Sequence, residues 1–82
     1  MTAGSHVPVV VVLALTRAVI VAGADVRSAL AQVAVALEGV DADGEALRTV
    51  ARRLTLGLPW EEAWEGAPAR LAYVERSLAL AW

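Results

Sequence analysis

Apolar residues recur along this chain at the three- and four-residue spacing that lines up one face of a helix. Val26, Leu30, Val33 and Leu37 stand four, three and four residues apart, and Ala29 and Ala34 widen their stripe. They predict a helix over residues 25–38, stopped by Gly39. Leu47, Val50, Ala51 and Leu54 predict another over residues 44–56, with Arg48, Arg52 and Arg53 outward or flanking the stripe. Leu71, Val74, Leu78 and Trp82, spaced three, four and four apart, carry a last helix over residues 68–82. Between these two, Pro59 fits the first position of a short helix with Trp60, Ala63 and Trp64 on one side. Glu61 and Glu62 fall in its first turn, where the helix dipole favours acids. Residues 40–44 read as a loop in which Asp41 and Asp43 are candidate N-caps.

The N-terminal stretch is harder to read. Residues 7–15 are apolar apart from Pro8; Thr16 and Arg17 follow, and residues 18–24 are apolar again. Six valines and one isoleucine between residues 8 and 22 lower the helix propensity. Residues 7–12 alone would suit a buried strand, but no second strand-like segment exists to pair with them. A helix over residues 8–22, with Pro8 in its first turn, is therefore the expectation. Residues 1–7 are a lead-in expected to be disordered.

One motif occurs twice. Gly23-Ala24-Asp25-Val26-Arg27-Ser28-Ala29-Leu30 is echoed 34 residues later by Gly57-Leu58-Pro59-Trp60-Glu61-Glu62-Ala63-Trp64. Each copy ends an apolar helix at a glycine, which can take the left-handed conformation, and starts another within two residues. Asp25 caps or charges the helix that follows the first corner, and Pro59 opens the one after the second. Short connections make neighbouring helices pack antiparallel. The fold class is thus all-α, a compact antiparallel bundle of about five short helices over residues 8–82. The last stripe is still in phase at Trp82, so the chain is read as stopping mid-helix, in a domain incomplete at its C-terminus.

Composition changes this picture in two respects. Hydrophobic residues make up 59% of the chain, against about 45–50% in soluble domains. A domain of 82 residues cannot hide all of that surface, so part of it is expected to be covered by another chain, by a missing part of this chain, or by lipid. The net charge of −2 argues against nucleic acid as a partner. Residues 7–24 could also be a membrane segment, at the short limit of about 17–25 residues. A central Arg17 costs about 2.5–3.5 kcal/mol there, and each Val, Leu or Ile recovers only about 0.3–0.6. The balance is close to neutral, and a buried helix is preferred. A signal peptide is disfavoured because residues 1–6 carry no Lys or Arg and Arg17 lies after the apolar run.

No catalytic, cofactor or metal constellation is present in the sequence. His6 is the only histidine and has no ligand-forming partner at a suitable spacing; there is no cysteine. The hydroxyl residues lack a base in any recognisable pattern, and no phosphate-binding loop occurs. Glu61, Glu62 and Glu65 read better as dipole partners on a solvated face than as a carboxylate site. Arg48, Arg52 and Arg53 form the one basic patch, best explained as a solvated face relieved by Glu45, with docking as the sharper reading. Trp60 and Trp64 are expected in the core, and Trp82 is the aromatic expected at an interface.

The order Gly23-x-x-Val26-x-x-Ala29-Leu30, then Val50-Ala51-x-x-Leu54-x-Leu56-Gly57-x-Pro59-x-x-Glu62-Ala63-Trp64, then a Leu- and Ala-rich helix resembles the type II secretion system F domain. The likeness covers residues 9–82 and looks most like the tight-adherence form of actinobacteria, with Ala63-Trp64 where many members have Ala-Leu. It implies a truncated six-helix domain in a platform protein of the cytoplasmic membrane. Such a domain is non-enzymatic, carries no cofactor, and touches the secretion ATPase and other platform subunits from the cytoplasmic side. Homo- or hetero-oligomers are implied, with membrane attachment through flanking segments. Arg48, Arg52, Arg53, Glu61, Glu62 and Trp82 are the candidate partner contacts; Gly23, Asp25, Gly57 and Pro59 are the structural turns. Two alternatives stay open. One is a free-standing helical adaptor, since a 34-residue offset also suits tetratricopeptide repeats, although their signature is missing. The other is a small membrane protein anchored by residues 7–24.

Overall fold

The two glycine corners organise the molecule. In the computed structural model, which describes residues 8–40 and 43–82, Gly23 has φ +118° and Gly57 has φ +93°. At the first corner the Gly23 N–H donates to the Ile20 carbonyl and the Ala24 N–H to that of Val19. At the second, Gly57 donates to Leu54 and Leu58 to Arg53. This is the same six-to-one and five-to-two pairing that closes a helix on a left-handed residue. The expected lead-in, His6 and Asp41 lie outside the described residues.

The chain forms α1 (Val9–Val21), α2 (Val26–Ala36), α3 (Asp43–Thr55), a single-turn α4 (Trp60–Ala63) and α5 (Ala72–Ala79), the last entered through a 3₁₀ turn at Ala69–Leu71. No strand occurs among the described residues. Several expected ends move. Pro8 is the N-cap of α1, with ψ 142°, and not part of its first turn. Pro59 likewise caps α4 from outside, with ψ 156°. In both, extended backbone before the first turn replaces the expected helical proline. Asp25 is the N-cap of α2, its carboxylate accepting from the Ser28 N–H at 2.7 Å. Asp43 is the first residue of α3 and not its N-cap, and its carboxylate binds Arg70, 27 residues further along the chain. Leu80 caps α5, so the helix ends before Trp82, although the Trp82 N–H still donates to the Leu78 carbonyl four residues back.

The predicted stripes are the core, except that Trp82 leaves the last of them and stays half exposed. Val26, Ala29, Leu30, Val33, Ala34 and Leu37 of the α2 segment are buried against Leu47, Val50, Ala51 and Leu54 of α3. Packing of α2 on α3 is the most extensive helix contact, and α1 lies on α2 and α5. Val12 and Leu13 from α1, Trp60, Ala63 and Trp64 around α4, and Leu71, Val74 and Leu78 complete one apolar cluster. Thr16 is buried with them because its hydroxyl donates to the Val12 carbonyl at 2.8 Å, which removes the cost of an unpaired polar group. The radius of gyration, 11.8 Å, equals the value of about 12 Å for a compact chain of this length.

Candidate interaction surfaces

Three surface features have a definite build, and the first is an apolar groove between α1 and α2. A helix advances about 100° per residue, so the buried Val12, Leu13 and Thr16 occupy one side of α1 and leave the opposite side in solvent. That side carries Val10, Val11, Ala14, Leu15, Ala18, Val21 and Ala22, with Arg17 at its edge. Val21 is 86% exposed. Leu15, Ala18, Val19 and Ala22 face Gln32, Val33 and Ala36 across a groove of about 420 Å³ that no ionised side chain lines. No helix among the described residues is long and apolar enough to cross a membrane. Part of the surplus apolar surface anticipated from composition thus lies on this face of α1, while Val35, Val40, Leu56, Tyr73, Leu80 and Trp82 are exposed elsewhere.

The second feature is the arginine cluster of α3, which the fold breaks up. Arg48 pairs with Glu38 at the end of the α2 segment, where Glu45 was expected to relieve it. Arg53 reaches over the following corner: its Nη1 donates to the Glu65 carbonyl at 2.6 Å and lies 3.4–3.5 Å from those of Ala63 and Glu62. It thereby caps the carbonyl end of α4, which a one-turn helix cannot satisfy internally. Arg52 alone of the three is exposed, Arg48 and Arg53 being half-buried. A docking role for these arginines thus lacks the shared, open patch that the sequence suggested.

The third is an aromatic stack. Trp60 lies between Trp64 and Trp82, with ring centroids 5.4 Å from each and interplanar angles of 55° and 33°. Trp60 and Trp64 are buried as expected, while Trp82, beyond the end of α5, remains 53% exposed. The indole Nε1 atoms of Trp60 and Trp64 are buried without a hydrogen-bond partner, an arrangement that costs about 1–3 kcal/mol per donor. Glu61, Glu62 and Glu65 are exposed on and just after α4.

Sequence reasoning missed the Asp43–Arg70 pair. Asp43 is 1% exposed, and Arg70 Nε donates to its Oδ2 at 2.9 Å while Nη2 meets Oδ1. The two lie 27 residues apart, and no periodic pattern joins them. Its bidentate geometry ties the start of α3 to the 3₁₀ turn. It is a fold contact, and the Arg70 side chain still reaches solvent. Among the described residues no group of three or more His, Cys, Asp and Glu side chains could hold a metal ion. Comparison of the chain with protein-family models, curated proteins and solved structures gives no match.

Proposed function

We propose that this chain is a helical domain of an inner-membrane platform protein of a type II secretion or tight-adherence pilus machine. In this reading it acts without catalysis, on the cytoplasmic face of the membrane, by binding the secretion ATPase and other platform subunits. Membrane attachment comes from flanking segments. The observation that carries the reading is the equivalence of the corners at Gly23 and Gly57: the same positive-φ glycine and the same pair of carbonyl acceptors, 34 residues apart. These corners are the elements on which the resemblance rests. The compact bundle supports it over the extended superhelix of a repeat adaptor. An uncharged groove and a half-exposed terminal tryptophan suit a domain whose surfaces are covered by neighbours.

Photo-crosslinking in the source cell tests this. A photoreactive residue in place of Arg52 or Val21 should yield adducts that contain the secretion ATPase or an integral-membrane platform subunit, identified by mass spectrometry. Adducts at both positions that contain neither class of protein would remove the reading.

A further inference from the structure

The six side chains offered for partner contact do not end up on one surface. Arg48 and Arg53 are engaged within the fold, whereas Glu61 and Glu62 remain exposed on α4 and Trp82 stacks on Trp60, the first residue of that helix. We propose that this end of the molecule, the Trp60–Trp82 stack with Glu61, Glu62 and Glu65 beside it, docks a basic segment of a partner protein, an arginine- or lysine-bearing helix or loop. The inference rests on the contact-domain reading above and names the chemistry of the partner.

Charge is the first argument. The carboxylates of Glu61, Glu62 and Glu65 have no ion-pair partner among the described residues, while Arg27, Arg48 and Arg70 are matched to Asp25, Glu38 and Asp43. Arg53 is the arginine seen in contact with the α4 segment, and its guanidinium is held on the backbone carbonyls of residues 62, 63 and 65. Three acids against one arginine leave this end negative, and a cationic partner complements it. The aromatic stack is the second. Trp82 rests on Trp60 and keeps about half its surface in solvent, so an arginine or lysine can lie over the indole and bind its electron-rich face. The third is the pair of buried, unpartnered indole donors of Trp60 and Trp64, whose rings belong to the same stack. A backbone carbonyl of the docked segment is the acceptor that those donors lack.

The test uses the intact chain and synthetic amphipathic peptides of one length and leucine pattern, carrying arginine, glutamine or glutamate at their polar positions. Binding is followed by calorimetry and by tryptophan emission, at low and high salt. The arginine peptide should bind, shift the emission, and weaken as salt rises. The Glu61→Gln/Glu62→Gln double variant and Trp82→Ala should each weaken it about fivefold or more. The double variant changes only exposed groups, and circular dichroism verifies that both variants stay folded. Equal binding of the glutamine or glutamate peptide, no binding of the arginine peptide, or an arginine-peptide affinity indifferent to both variants overturns the proposal. These peptides contain no secretion protein. Binding with no secretion adduct in the cell would therefore remove the platform reading alone, and secretion adducts with no peptide binding would remove the basic-partner inference alone.

Discussion

At Asp25 one carboxylate decides where α2 begins. The Ser28 backbone N–H donates to it, the Ser28 side chain helps, and Arg27 lies 3.6 Å away; together these hold its pKa below the ordinary 3.8 against the opposing effect of desolvation. A depressed folded-state pKa means that the unfolded chain binds the proton more readily. The contribution of Asp25 is therefore complete above the unfolded value of 3.8. It declines as pH falls past that value and is gone below the folded one. A carboxyl titration by NMR should give a midpoint under 3.8. Asp25→Asn, which keeps an oxygen acceptor, should lose this acid-dependent component of urea stability; an unchanged acid profile would refute the assignment. Asp25 was legible because a cap is satisfied three residues away. Arg53 was legible only as a flank residue, because its acceptors belong to a different helix.

At the scale of elements, the corner at Gly57 sets how α3 hands over to α4. A φ of +93° places the residue where an L side chain clashes with its own carbonyl. Gly57→Ala should therefore cost about 1–2 kcal/mol. Urea titration should show it as a lower midpoint with an unchanged slope. Gly23→Ala, at φ +118°, should lose stability in the same sense. No added Cβ would touch a neighbour at either site, so any loss reports backbone conformation and not crowding. A neutral result at both would mean that the corners are not held in the left-handed region. The helices themselves were readable from apolar spacing, and their ends less so. Pro8 and Pro59 each sit one residue before the helix, since extended backbone at an N-cap suits proline as well as the first turn does.

Across the whole molecule, the Asp43–Arg70 pair joins segments that only the packed bundle brings together. Arg70→Ala should destabilise the protein by about 2–3 kcal/mol, less than a fully buried pair would lose because Arg70 is partly solvated. In a domain of this size that is a fall in Tm of about 10 °C or more, measurable by thermal circular dichroism. The double variant Asp43→Asn/Arg70→Ala should cost less than the two single losses added together; strict additivity would show that the groups act independently. A small domain with stability of about 5–15 kcal/mol depends visibly on one such cross-link.

Local rules were enough to specify the helices, both glycine corners, the Asp25 cap and the apolar stripes of α2 and α3. Each depends on residues a few positions apart, so the interaction and its signal lie in the same short stretch of chain. Tertiary structure alone decided the rest: the union of Asp43 with Arg70, the seat of Arg53 on the α4 carbonyls, the burial of Thr16, the end of α5 at Ala79 and the groove between α1 and α2. Those outcomes depend on which helix faces meet. Apolar periodicity tells each helix which side to bury, but not which neighbour will cover it or how much of α1 that neighbour will leave bare.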